Sequence, residues 1–191
     1  MKTSINILLV FLFAACTSVP DERMTPYVDF PETRELTART LSLDSALFRY
    51  PYRVRVQDDK AVVLDLHGTE YFFHAFHYPG FHYLSSFGKR GDAPEEMLSA
   101  ENLRWNGNFL WTLDSNKSEL TRLGFASSGD SLLRLEAVSL DEELLRALDF
   151  VQYDDSTFII PDYSGDSRFC LVSRQGKLLH KIGTIPTTDE D

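Results

Sequence analysis

Residues 54–66 run VRVQDDKAVVLDL: a short alternating segment, a polar pair, an apolar run and an aspartate. Alternation with period two is the pattern of a strand with one covered face, whereas an unbroken apolar run between turn residues fits a strand covered on both faces. The same order recurs at residues 103–115, LRWNGNFLWTLDS, and 150–163, FVQYDDSTFIIPDY. Each stretch ends at an aspartate, Asp65, Asp114 and Asp162, spaced by 49 and 48 residues. The pairs Asp58-Asp59, Asn106-Gly107 and Asp154-Asp155 predict hairpin turns, because Asn, Gly and more weakly Asp tolerate the positive φ that such turns need. On this alignment Val62, Leu110 and Ile159 occupy one place in successive second strands, facing a shared interior.

A further strand pair follows each hairpin. Residues 71–76 and 82–87 flank the turn Tyr78-Pro79-Gly80, and residues 120–125 and 132–138 flank Ser127-Ser128-Gly129-Asp130. In the third unit, residues 169–173 and 178–182 flank Arg174-Gln175-Gly176-Lys177. Four short antiparallel strands in about 48 residues, repeated, is the arithmetic of a β-propeller blade. The pattern predicts an all-β, β-propeller-like domain over residues 40–191, with four-stranded blades at 50–90, 100–140 and 148–185. The links between blades carry helix-start patterns: Asp92-Ala93-Pro94-Glu95, and Ser139-Leu140-Asp141-Glu142 ahead of ELLRAL. An acidic or hydroxyl cap, an early proline and a glutamate three residues after the cap predict a helical turn there.

The stretch FGKRGDAPEEM at residues 87–97 resembles the strand-end motif of the TolB-like six-bladed β-propeller lipoproteins of Bacteroides-type bacteria. In that motif a Phe-Gly, a second Gly, then Pro and Glu mark the passage between blades. The matching positions are Phe87, Gly88, Gly91, Pro94 and Glu95, while Asp92 and Ala93 depart from the family's Gly-rich spacing. The resemblance covers residues 40–185 and implies architecture without a substrate. A six-bladed ring at about 48 residues a blade needs roughly 290 residues of body. The expectation is therefore an incomplete, truncated six-bladed propeller, with completion by a second copy or an open arc as alternatives. The arc is disfavoured because exposed strand edges recruit other chains.

The first residues follow a different pattern. Lys2 precedes an apolar run over residues 5–13 broken by Asn6, and Phe13-Ala14-Ala15-Cys16 closes it with small residues before a cysteine. A membrane-crossing helix needs roughly 20 apolar residues, so this run reads as a cleaved export signal. The cysteine makes it similar to a bacterial lipoprotein signal, which implies removal of residues 1–15 and lipidation of Cys16. The membrane would then be a partner through Cys16, and the protein would sit in the cell envelope at the outer membrane, in either leaflet. Residues 16–39, rich in Pro, Thr and acidic side chains, read as a tether. Cys170 remains alone in the apolar run FCLV, where it reads as a core residue and makes no disulfide.

Charge and motifs narrow the function. Nineteen Lys and Arg against 29 Asp and Glu give a net charge of −10, which repels polyanions and excludes nucleic acid as a partner. Arg90-Gly91-Asp92 has the composition of an adhesion tripeptide but lies in a blade link, and it lacks the Gly-Lys-Ser/Thr end of a phosphate loop. His74, His77 and His82 are dense enough for zinc, yet residues three apart on a strand face opposite ways, so no metal site is expected. Residues 114–118 open like a calcium loop, but Glu119 stands where the sharp turn needs Gly and Phe125 where a bidentate Glu should close it. Asp65, Asp114 and Asp162 are expected to accept hydrogen bonds from loop backbone, and with Gly88, Gly91, Pro94 and Glu95 form the structural repeat positions. No nucleophile elbow, dinucleotide fingerprint or paired-cysteine motif identifies catalytic residues or calls for a cofactor. The expected function is a binding or scaffolding module for a protein, peptide or glycan partner. Rival readings are a propeller hydrolase or lyase with its site at the channel mouth, and a non-functional remnant.

Overall fold

A computed structural model of the chain describes residues 32–41, 43, 46–144, 146–163 and 167–185. Residues 1–31, which hold the expected export signal, Cys16 and the first part of the expected tether, lie outside the described residues. The chain divides into two units, Met1–Arg39 and Thr40–Asp191. In the first, residues 32–39 are exposed and without regular structure.

The second unit is all β among its described residues, with twelve strands in three antiparallel sheets. The first sheet has the order β1 (Pro51–Gln57), β2 (Lys60–Asp65), β3 (Tyr71–His77), β4 (His82–Lys89). The second runs β5 (Asn102–Asn106), β6 (Phe109–Asp114), β7 (Glu119–Phe125), β8 (Leu132–Ser139). The third runs β9 (Val151–Gln152), β10 (Thr157–Pro161), β11 (Ser167–Ser173), β12 (Leu178–Thr184). Each sheet is a meander whose strands pair in chain order, as connections of a few residues require. The apolar runs become inner strands: β2 and β6 are buried at every position after the first. By contrast β8 alternates between half-buried and exposed as far as Ala137, and β12 is almost wholly exposed.

Apolar packing joins consecutive sheets. Val62, Leu64 and Phe73 of the first sheet meet Leu103, Leu110 and Leu123 of the second. Trp111 and Leu113 of the second meet Phe158, Ile160, Cys170 and Val172 of the third. Trp111 stands edge-on to Phe158, ring centres 5.0 Å apart, a favoured aromatic geometry. The outer face of the first sheet, at Ala61, Val63 and Phe76, is covered by Ala46, Leu43 and Phe48 from the segment before β1. Cys170 is 1% exposed, and burial pushes its thiol up, as befits a packing residue.

Two expectations fail in the register and the links. In the second sheet Asn106 pairs with Phe109, so the turn is centred on Gly107-Asn108, one residue later than Asn106-Gly107. Gly107 takes the positive φ, 54°, at the first central position, as Asp58 does at 50° in the first sheet. This shift makes Trp111, and not Leu110, the counterpart of Val62 and Ile159: they pair with Arg104, Arg55 and Val151 respectively. Leu110 instead faces back to the first sheet. Nor does either link form a helix among the described residues. Residues 92–96 are too few to nucleate one once Met97 N is bound to Lys89 O at 2.8 Å. In the second link Arg146 adopts φ 56°, which ends any right-handed turn. Leu140, Leu144 and Ala147 keep a helix-like spacing but pack between sheets without regular structure.

Candidate functional site

The first strands of the three sheets converge on one open cleft of about 560 Å³. Its lining includes Arg55 of β1, Arg104 and Trp105 of β5, Gln152 of β9, and Phe150 and Tyr153 on either side of β9. Arg55 and Arg104 hold equivalent register places, opposite Val62 and Trp111, so the repeat itself puts two guanidiniums on the same wall. They are in different states. Arg104 donates to Asp149 through Nη2 at 2.9 and 3.0 Å and through Nε at 3.3 Å. Asp149 Oδ1 also accepts from the Asn102 amide and from Phe150 N, which fixes the carboxylate. Arg55 has no carboxylate partner among the described residues and donates only to backbone, to Leu103 O at 3.3 Å and Val54 O at 3.4 Å. Burial first, then the charges of Arg53 and Arg104, hold its pKa below the ordinary arginine value, with Asp149 opposing. Trp105 stacks on Phe125 at 6.2 Å, giving the wall a rigid aromatic panel. Asp154 and Asp155 stand at the rim. Asp154 Oδ1 is turned into its own loop, accepting from Ser156 N, Ser156 Oγ and Thr157 Oγ1 at 2.8 Å each. Those hydrogen bonds depress its pKa.

The repeat positions sit elsewhere, at the ends of the second strands and in the links. Asp65 is fully buried and accepts from Arg49 N at 2.8 Å and Tyr50 N at 2.6 Å. Asp114 accepts from Leu98 N at 2.7 Å, Ser99 Oγ at 2.9 Å, Asn116 N at 3.1 Å and Lys117 N at 3.0 Å. Each carboxylate ties the segment entering its sheet's first strand to the end of the second strand. Asp162 follows β10 and its backbone N–H donates to Arg168 O at 3.0 Å. Gly88, one residue before the end of β4, has φ 64°, and a Cβ there would lie 2.6 Å from the Phe73 ring. A Cβ on Gly91 would collide with the Glu96 carboxylate. Glu95 is exposed, and Glu96 holds the link, accepting from Lys89 Nζ at 2.7 Å and Ala93 N at 3.3 Å. Pro94 O accepts from Arg134 of β8 at 2.7 Å.

The histidines lie on the first sheet. His74 is buried with Nδ1 2.8 Å from Ser86 Oγ, and burial lowers its pKa. His77 pairs with His82 in the ladder and lies 3.3 Å from Asp59. No cluster of three or more metal-ligating side chains occurs among the described residues. Arg55, Arg104, Trp105 and Asp149 were not singled out by motif. The available signal was the charged residue recurring before the hairpin turn, in VRVQ and LRWN.

Four-stranded meanders that pack face to face, with their first strands around a common cleft, are blades of a β-propeller. The TolB-like 6-blade propeller-like family matches residues 29–191, and the chain belongs to that family. No curated protein matches it in sequence. Among solved structures it is similar to a Bacteroides fragilis protein described as a candidate exported protein, with TM-score 0.61 and 14% identity. That match covers 80% of this chain and 43% of the other, so the chain spans less than half the length of its structural relative. A Desulfotomaculum acetoxidans protein described as functionally unknown matches more loosely, with TM-score 0.49 and 15% identity over 69% of this chain and 42% of that one.

Proposed function

We propose that the protein is exported, held in the cell envelope by a lipid on Cys16, and acts there as a recognition module that binds its ligand in the cleft between β1, β5 and β9. The convergence of three first strands carries this reading: their pairing with buried second strands fixes Arg55, Trp105 and Gln152 on a rigid wall. Rigid presentation lowers the ordering cost of binding. Recognition is favoured over catalysis because Asp149 serves to hold the wall in place, its Oδ1 accepting from the Asn102 amide, Arg104 and Phe150 N. Export is favoured by the signal-like residues 1–16 and agrees with the description of the Bacteroides fragilis relative.

Two measurements test it. Cells fed an alkyne analogue of palmitate should label the protein, and Cys16→Ser should abolish the label and release the protein from the membrane fraction. An unlabelled wild type removes the anchor. Ligand binding in the cleft should shift Trp105 fluorescence, and Arg55→Gln should weaken binding. A ligand that binds this variant and the wild type equally lies outside the cleft.

A further inference from the structure

A second cavity, of about 590 Å³, opens at the far end of the first sheet and is lined by Arg49, Tyr50, His67, Thr69 and Arg90. Its shape is imposed by the fold. The buried Asp65 carboxylate grips Arg49 N and Tyr50 N, and Tyr50 O accepts from Leu66 N at 3.0 Å. On the other wall, Arg90 N donates to Glu70 O at 2.8 Å and Arg90 Nη1 to Gly68 O at 3.2 Å. The Arg90 guanidinium also lies 5.3 Å from the centre of the Phe72 ring, a cation–π contact that helps hold it in place. Thus the arginine of the Arg-Gly-Asp tripeptide is built into this wall.

The lining has a definite chemistry. Neither Arg49 nor Arg90 forms an ion pair among the described residues, whereas Arg104, Arg122, Arg134 and Arg174 all do. Tyr50 and His67 form an aromatic pair with centroids 5.4 Å apart, and Tyr50 is 50% exposed. Two acids stand near: Asp65, whose oxygens are taken by backbone N–H groups, and the exposed Glu70. A planar fork of donors suits a carboxylate or other oxyanion. The negative face of an aromatic ring suits the polarised C–H face of a pyranose, and the Thr69 hydroxyl can exchange hydrogen bonds with sugar hydroxyls. A carboxylate carries one charge where a phosphate carries nearly two. In a chain of net charge −10 the single charge meets less repulsion.

We infer that this cavity is a binding site for a sugar that carries a carboxylate, a uronic acid residue, with Arg49 and Arg90 clamping the carboxylate and Tyr50 and His67 packing against the ring. It is separate from the cleft between the first strands. Isothermal titration calorimetry on the purified protein tests it with D-galacturonic and D-glucuronic acid against galactose, glucose and sodium sulfate. One or both uronic acids should bind, and the neutral sugars and sulfate should not. Arg49→Gln and Arg90→Gln should each weaken uronate binding about tenfold, the loss of one charge-assisted contact. Tyr50→Leu should weaken it further, with every variant still folded at the titration temperature by circular dichroism. Failure of both acids to bind overturns the inference. So does equal binding of a neutral sugar, or of sulfate, which would make the site a general anion site. Should Arg55→Gln weaken uronate binding as much as Arg90→Gln, the sugar lies in the other cleft and this site falls.

Discussion

Asp114 shows how much of this fold is held by single side chains. Its carboxylate, 1% exposed, accepts hydrogen bonds from two residues of the incoming link and from two in the turn after its own strand. Asp114→Ala strands those donors, at about 2–3 kcal/mol, measurable by urea unfolding. The same change at exposed Asp130 should leave the midpoint within error. That Asp65 and Asp114 share a role could be read from spacing, because each closes an apolar run. The cleft could not. Arg104 and Asp149 are 45 residues apart and meet only because two sheets pack, and nothing local marks either as a partner for the other. The same holds for Arg49 and Arg90, which the β2–β3 loop brings together from the two ends of one sheet.

At the scale of elements, strands were legible and links were not. Period-two alternation, apolar runs and turn pairs report on neighbours a few residues away, and they located all twelve strands. The pattern places the second hairpin one residue early, because Asn106-Gly107 has the composition of a turn pair. The chain instead puts Gly107 at the first central position, where positive φ is required. The links read as helix starts because caps and spacing are local features, whereas their conformation is set by contacts with distant strands. Lys117 Nζ reaches Ala93 O at 2.7 Å and Glu96 O at 2.5 Å, clipping the first link onto the second sheet. Gly88 sets the backbone direction where β4 leads into that link. Gly88→Ala forces an L-residue to φ 64° and drives its methyl at Phe73, at a combined cost of about 2–3 kcal/mol. Thermal unfolding should show this as a lowered midpoint, and Gly129→Ala, in open space at φ 79°, should show only the smaller backbone part.

For the molecule as a whole, sheets are also joined by charge. Arg174 of the third sheet donates to Glu136 of the second at 2.7 and 3.1 Å while lying 5.0 Å from the Trp111 ring centre, and Arg122 lies 3.1 Å from the same carboxylate. The hydrogen bonds from Arg174 hold the Glu136 carboxyl below its ordinary value. A depressed carboxyl contributes stability that is present above its unfolded value, near 4.5, and is lost as pH falls through the lower folded value. Glu136→Gln should therefore cost about 1 kcal/mol at neutral pH, kept small because the pair is partly solvated. The gap between the unfolding midpoints of the two proteins should close as pH drops below that range.

Among the described residues the apolar interior comes in three separate pieces, each shared by neighbours in chain order. Such a molecule has no keystone. A crack at Trp111 parts the third sheet from the second and leaves the seam at Phe73 and Leu110 standing, so loosening travels sheet by sheet instead of sweeping the whole body at once. The middle sheet, roofed on both sides, is then the last to surrender its amide protons to solvent.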